Sequence, residues 1–266
     1  MSFSPPVVLT FAGSDPTGGA GLQADLLTLA SMGCHPVSVV TALTVQDTHG
    51  LTSIDPVDAG RVRAQAERLL ADMRIAAFKL GVLGSSANAE IVARILADHA
   101  EIPVVLDPVL ASGRGDALAN EEMIAALREL IVPQSTVVTP NSLEARRLAG
   151  HAGLSQCAQH LLDCGSEYVL ITGTHEPSEE VINTLYDSGG VVREDRWPRL
   201  AGSYHGSGCT LASAIAAAIA NGLAVPEAVR DAQEFTWQAL ASGFRAGAGQ
   251  LIPDRFFWTR EGRHDR

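Results

Sequence analysis

Val7-Val8-Leu9-Thr10-Phe11-Ala12-Gly13-Ser14-Asp15-Pro16-Thr17-Gly18-Gly19-Ala20-Gly21-Leu22 runs from a mostly apolar segment through a loop into a new amphipathic stretch. Val7 to Ala12 has the length and composition of a buried strand. Leu22, Leu26, Leu29 and Ala30 then share one helical face. Strand, glycine-rich turn and helix in that order form half of a crossover unit, and the alternation continues outward from it. Pro36 to Thr44 is β-rich, and Val62, Leu69 and Leu70 mark a helix. Ala77 to Leu83 reads as a strand, Ile91, Val92, Ile95 and Leu96 as a helix, and Pro103 to Leu106 as a strand. A helix near Glu121 to Leu130 and a strand at Thr136 to Thr139 come next. Helices near Leu143 to Leu148 and Ser155 to Cys164 precede a strand at Tyr168 to Thr172. Such alternation predicts crossovers and a mostly parallel sheet with helices on both faces. Val181 to Trp197 breaks the pattern, with β-branched runs flanking Ser188-Gly189-Gly190, the signature of a hairpin. Helices near Cys209 to Asn221 and Pro226 to Ser242 close the series. No repeat, low-complexity segment or linker divides the chain, so residues 1–266 are expected to form a single domain.

Composition narrows the function. Apolar residues make up 46% of the 266, enough for a sizeable core, and charged residues 18%. A net charge of −11 disfavours an extended nucleic-acid footprint, which needs clustered Lys and Arg, but leaves room for one small phosphate site. The longest apolar stretch, Leu211 to Ala220, is too short to span a bilayer. Met1 to Pro6 lacks the basic and apolar regions of a signal peptide. Cys34, Cys157, Cys164 and Cys209 follow no disulfide framework, so reduced thiols and a cytoplasmic location are expected. Cys157, His160 and Cys164 share a helical face, but their spacing fits no standard zinc pattern, and they read as buried small residues.

Four segments carry chemistry. Gly13 to Gly21 holds four glycines in nine residues between strand and helix, more than a plain turn needs. Gly19-Ala20-Gly21-Leu22-Gln23-Ala24 fits a dinucleotide fingerprint, but six residues separate it from the strand end at Ala12, where that fingerprint should open directly. No Gly-Lys-Ser/Thr exists to make a Walker loop. His205-Gly206-Ser207-Gly208-Cys209-Thr210 opens a helix whose Leu211, Ala214, Ile215, Ala218 and Ile219 form one apolar face. Free amides at such a start make an anion hole suited to a transferring phosphoryl group. Cys209 falls in the first turn, where the helix terminus should lower its pKa and adjacent phosphate raise it. Asn141 and Glu144 in Thr139-Pro140-Asn141-Ser142-Leu143-Glu144 can serve either as a capping box or as oxygen ligands for Mg²⁺. Asp107, in Leu106-Asp107-Pro108-Val109, lies at a strand end, where open parallel sheets bind ligands.

Read together, these segments resemble the hydroxymethylpyrimidine/phosphomethylpyrimidine kinases of the ribokinase superfamily. The resemblance rests on Ala12 to Asp25, Val40 to Thr48, Lys79 to Leu83, Leu106 to Val109, Thr139 to Asn141 and His205 to Thr210, in order, and covers the chain to about Ser242. It implies a three-layer α/β ribokinase-like fold and an ATP-dependent, Mg²⁺-assisted phosphorylation of hydroxymethylpyrimidine or its monophosphate in thiamin biosynthesis or salvage. It also implies a homodimer. Gln46 matches the residue that hydrogen-bonds the pyrimidine, with Gly13, Asp25 and Val82 as neighbours of that pocket. Gly206 and Gly208 match the anion hole, and Cys209 matches the position where most ribokinase relatives carry an aspartate base. Asn141, Thr172 and Ser207 are the expected phosphate contacts, and Asp107 and Glu144 the expected Mg²⁺ ligands, partly through water.

Departures from the family pattern fall on the nucleotide side. Thr172-Gly173-Thr174 stands where a Lys-Gly-Gly is usual, and Ser112-Gly113-Arg114 replaces Ala-Lys-Ser, making Arg114 a candidate substitute charge. A pyridoxine/pyridoxal kinase is the nearest rival, and a non-catalytic pyrimidine sensor on the same fold the rival from another class. His205 is expected as a hydrogen-bonded support, and Trp197 and Trp237 as structural residues.

Overall fold

The computed structural model describes residues 4–111 and 118–259; Arg114 lies outside them. Among the described residues eight α-helices and nine strands follow one another, all but one strand as the apolar periodicity predicts. They are β1 (Val7–Ser14), α1 (Gly21–Ser31), β2 (His35–Gln46), β3 (Leu51–Pro56), α2 (Ala59–Asp72), β4 (Ile75–Leu80), α3 (Ser86–Ala97) and β5 (Val104–Leu106). Then come α4 (Glu121–Ala126), β6 (Val137–Val138), α5 (Ser142–Ala149), α6 (Leu154–Asp163), β7 (Tyr168–Thr172), β8 (Glu180–Asp187), β9 (Gly190–Pro198), α7 (Ser207–Ala220) and α8 (Val225–Ala241). A π turn, Leu127–Ile131, and a 3-10 turn, Val132–Gln134, continue α4 and bring it to a stop at Pro133.

All nine strands join one sheet, in the order β3-β2-β1-β4-β5-β6-β7-β8-β9. The run from β2 to β7 is parallel, while β3 on one edge and β8 and β9 on the other are antiparallel. Successive strand residues alternate between two cores. Leu9, Phe78, Val104, Leu106, Val138 and Val169 pack towards α2–α6. Val8, Ala77, Val105, Val137 and Leu170 pack towards α1, α7 and α8. A strand buried on both faces has no polar side, which is why these segments read as continuous apolar runs. The hairpin expected around Ser188-Gly189-Gly190 is β8–β9.

β3 was not anticipated. Its Leu-Thr-Ser-Ile-Asp-Pro sequence has no buried residue, because it pairs only as an edge to β2 and covers neither helix layer. Without a buried face there is no period-2 pattern to read. The Ala77–Leu83 segment is strand only to Leu80. Beyond it the chain leaves the sheet as a loop whose shape is held by Asn88, whose side-chain amide donates to the carbonyls of Thr41, Val57 and Leu83.

Strand order reverses at β1, with β2 on one side and β4 on the other. Sheets of this kind bind ligands in the crevice beyond the carboxyl ends of the strands at such a reversal. Gly13, Val82, Asp107, Asn141 and Thr172 all lie at or just past those ends.

Candidate active site

A cavity of about 570 Å³ opens above these strand ends, a size suited to a small ligand. Of the candidate site residues that the structure describes, all but one line it: Gly13, Gln46, Val82, Asp107, Asn141, Glu144, Thr172, Gly206, Ser207, Gly208 and Cys209 face it, and Asp25 does not. A smaller cleft of 380 Å³ between α2 and α3, lined by residues such as Arg63, Glu67, Arg94 and His99, lies in the outer helix layer. It has neither strand ends nor a helix start, so the strand-end cavity is the candidate site.

One wall is built by two loops packed backbone to backbone. Asp15 organises the first: its carboxylate accepts from the amides of Thr17 (2.8 Å) and Ala20 (2.7 Å) and from the Thr17 hydroxyl (2.8 Å). His205 reaches it from the second loop, with Nε2 2.9 Å from Oδ2, and so acts as a hydrogen-bonded support. Burial works against ionisation of Asp15, but these partners outweigh it and hold the carboxyl below its ordinary range. The loops approach closely because Gly206 sits at φ +83° and any Cβ there would collide with the Gly19 carbonyl. The glycines thus serve loop-to-loop contact as much as access for a ligand. Gly206 is the N-cap of α7, which leaves the amides of the first turn open to the cavity.

At the floor lies a buried charge cluster. Lys79 is fully enclosed, with Nζ 2.8 Å from Asp25 Oδ1 and 4.0 Å from Asp107 Oδ2. The approach to Asp25 is an ion pair by distance but not hydrogen-bond geometry, so both Lys79 Nζ and Asp107 Oδ2 are buried without hydrogen-bond partners. Burial opposes the Lys79 charge, yet Asp25, Cys209 and Asp107 outweigh it and keep the ammonium protonated beyond its ordinary range. Asp25 is saturated from the other side, accepting from Thr10 Oγ1 (2.7 Å) and Ser213 Oγ (2.8 Å). This corrects its expected place in the ring pocket: Asp25 lies beneath the cavity wall, against Lys79. Burial raises the Asp107 carboxyl, against the pull of Lys79.

Cys209 corrects a second expectation. The helix start was expected to lower its pKa and adjacent phosphate to raise it. Instead burial pushes the thiol up to about 12, with Lys79 as the largest opposing influence and Asp107 adding to the rise. The side chain keeps partial exposure on the cavity side, but the cluster around it leaves it a neutral thiol at pH 7. Desolvation beside two carboxylates exceeds what one helix terminus offers.

Asn141 and Glu144 form the capping box: Asn141 Oδ1 accepts from the amides of Leu143 and Glu144 (2.9 Å each), and Glu144 Oε2 from the Asn141 amide (2.9 Å). Glu144 Oε1 also accepts from the Leu110 amide at 3.3 Å. Burial, with Asp107 nearby, nevertheless raises the Glu144 carboxyl to about 8 despite those amides. The group therefore takes up a proton on folding. Its ionisation penalty grows as pH rises from about 4.5, its ordinary value, to about 8. Glu144→Gln is expected to flatten the loss of stability over that window, as measured by urea midpoints from pH 5 to pH 9; parallel curves for wild type and variant would refute it.

Gln46 Nε2 donates to Thr44 Oγ1 at 2.8 Å, and Thr44 donates to the Ser14 carbonyl at 2.8 Å, so its amide is oriented before any ligand arrives. Val82 is fixed by Thr41, whose hydroxyl donates to the Val82 carbonyl. At the far end of the cavity Trp197 and Trp237 stack with ring centroids 6.3 Å apart, and both line its wall, so they are not only structural. Trp197 Nε1 donates to Gln233 Oε1 at 3.0 Å. Sequence reasoning missed Lys79, although it lay within a quoted segment, because its partners come from α1 and from the end of β5.

A doubly covered, mainly parallel sheet, with an open helix start and a buried carboxylate beyond its strand ends, defines a small-molecule kinase of the ribokinase-like fold. Known proteins agree. The crystal structure of an ADP complex of Bacillus subtilis pyridoxal kinase matches with a TM-score of 0.89 at 30% identity, covering 96% of this chain and 99% of that one. A phosphomethylpyrimidine kinase structure from Clostridium difficile matches with a TM-score of 0.77 at 29% identity, covering 88% and 99%. In sequence, the hydroxymethylpyrimidine/phosphomethylpyrimidine kinase of Streptomyces coelicolor is 40% identical over 252 residues, 92% of this chain and 93% of that protein. The sequence model of the phosphomethylpyrimidine kinases matches residues 15–254. The chain belongs to the phosphomethylpyrimidine kinase family.

Proposed function

We propose that this protein transfers the γ-phosphoryl group of ATP to the hydroxymethyl oxygen of hydroxymethylpyrimidine, or to the phosphate already on it, in thiamin biosynthesis or salvage. One observation carries the reading: the oriented amide of Gln46 and the open first turn of α7 line a single cavity. Gln46 offers donor and acceptor to an aminopyrimidine edge, with Gly13 and Val82 beside it. The amides at Gly206, Ser207 and Gly208 stabilise the charge that develops on the phosphoryl oxygens, and Cys209 lines the same hole. Asn141 and Thr172 lie along the route towards the stacked tryptophans, where the nucleotide extends.

The donor set suits Mg²⁺ held mainly by phosphate oxygens and water. Asp107 offers a buried oxygen with no hydrogen-bond partner, while Glu144, its oxygens engaged by amides, contributes through water. Among the described residues no cluster of three or more His, Cys, Asp or Glu forms a protein cage for a metal. When bound, Mg²⁺ supplies charge neutralisation to the phosphates. A homodimer in the cytoplasm completes the reading.

The test is a purified-enzyme assay with hydroxymethylpyrimidine, its monophosphate and pyridoxal. Turnover of pyridoxal alone would replace the substrate assignment with the one named for the Bacillus subtilis structure. Pyrimidine binding without ATP consumption would favour a sensor. Gln46→Ala is expected to weaken pyrimidine binding by roughly 1–3 kcal/mol, as when a buried polar partner is left unmatched. Calorimetry checks this, and an unchanged affinity would move the ring pocket elsewhere.

A further inference from the structure

Arg255, in the segment that follows α8, is 2% exposed and lies outside the residues that carried the family resemblance. Its guanidinium is directed at neutral oxygens: Nη2 donates to the Gly19 carbonyl at 2.6 Å, Nε to Thr210 Oγ1 at 3.1 Å and Nη1 to the Gly18 carbonyl at 3.5 Å. Thr210 passes the contact on, donating to the Gly206 carbonyl at 2.8 Å. One side chain therefore grips the glycine-rich loop directly and the N-cap of α7 through a single hydroxyl. Among the described residues no carboxylate lies within ion-pair distance of it. Burial lowers its pKa to about 10, which still leaves it charged at neutral pH.

A buried cation without an ion-pair partner is costly, and tying two loops together needs only a neutral donor. Asp25, Asp15 and Asp254 offset part of that cost from beyond ion-pair distance, and an anion at the α7 start adds a further counterpart. We propose that Arg255 is a positioning residue of the phosphoryl-transfer site. It clamps the Gly18–Gly19 backbone to the first turn of α7 and sets a fixed positive charge behind that turn, so that the turn holds a phosphoryl anion. Arg255 does not line the cavity and touches no ligand; it works through Thr210 and Gly19. The proposal rests on the kinase reading for its role in turnover, but not for its role in anion binding.

The test compares wild type with Arg255→Gln, which keeps neutral donors, and Arg255→Lys, which keeps the charge. Inorganic phosphate is the first probe, read as the rise in melting temperature on titration without nucleotide. Wild type and Arg255→Lys are expected to show the rise, and Arg255→Gln to lose most of it. Steady-state kinetics is the second probe. Arg255→Gln should lower kcat/KM for ATP by about tenfold or more, as expected when one element of an anion hole is disturbed, while Arg255→Lys stays within about threefold of wild type. Pyrimidine affinity, measured without nucleotide, should stay unchanged in both. Equal phosphate response in Arg255→Gln and wild type, or equal loss in both variants, overturns the proposal. If Arg255→Gln does not fold, the wild-type and Arg255→Lys titrations decide: no phosphate response in either overturns it. A wild type that responds to phosphate but turns over no substrate defeats the kinase reading and leaves the Arg255 assignment standing.

Discussion

Lys79→Met is expected to cost about 3–5 kcal/mol of stability, the range for removing one partner of a buried ion pair, and to abolish turnover. The methionine fills similar space but strands the Asp25 carboxylate, whose remaining partners are the Thr10 and Ser213 hydroxyls, and removes the cation nearest Asp107. The pH dependence separates this account from a packing defect. In wild type the Lys79 charge is held beyond its ordinary range, so its contribution persists through neutral pH and is lost only in strong alkali. In the variant the Asp107 carboxyl, already raised by burial, loses the opposing Lys79 charge and would take up a proton on folding, so stability falls as pH rises above the ordinary carboxyl range. The deficit relative to wild type should therefore be smallest near pH 4 and largest near pH 8, measured by urea denaturation at each pH. A pH-independent deficit would show that Lys79 matters only as volume.

What could be read in the sequence follows from how local each signal is. β1, β4, β5, β6 and β7 were legible because burial on both faces leaves uninterrupted apolar runs, and α7 because Gly206 to Thr210 announces a helix start. The Leu51–Pro56 strand was not legible, since its partner supplies all its order and no helix covers it. In the site, the lining residues sit at strand ends that topology brings together, so naming the strand ends largely named the cavity. The failures are pairings across long separations. The family resemblance placed Asp25 beside the ring pocket, but its side chain is fully buried against Lys79, on a strand two crossovers later, in the floor. Arg255 gave no signal, because its partners are carbonyl oxygens of a loop 236 residues away for Gly19. The Cys209 thiol was misjudged for the same reason: the helix start is local and visible, whereas desolvation by packed neighbours is not.

Cys209→Ala should reduce kcat by roughly 10²-fold, the low end for a lost proton-transfer group, and leave pyrimidine affinity nearly unchanged. The alanine keeps the Gly206–Gly208 backbone and its amides, so positioning and charge stabilisation survive and residual turnover is expected. The raised thiol decides what the residue can do. At neutral pH only a small fraction is thiolate, because burial and Asp107 hold the pKa near about 12 against the attraction of Lys79. If that fraction accepts the hydroxymethyl proton as the new oxygen–phosphorus bond forms, wild-type kcat must climb with pH through the alkaline range, and the climb must vanish in Cys209→Ala. Cys209→Ser separates the proton from the shape: its hydroxyl fills the same corner but ionises far less readily. Serine activity matching wild type, or parallel pH profiles for wild type and alanine variant, would reduce Cys209 to a lining residue and leave the α7 amides, backed by Lys79, to account for the rate.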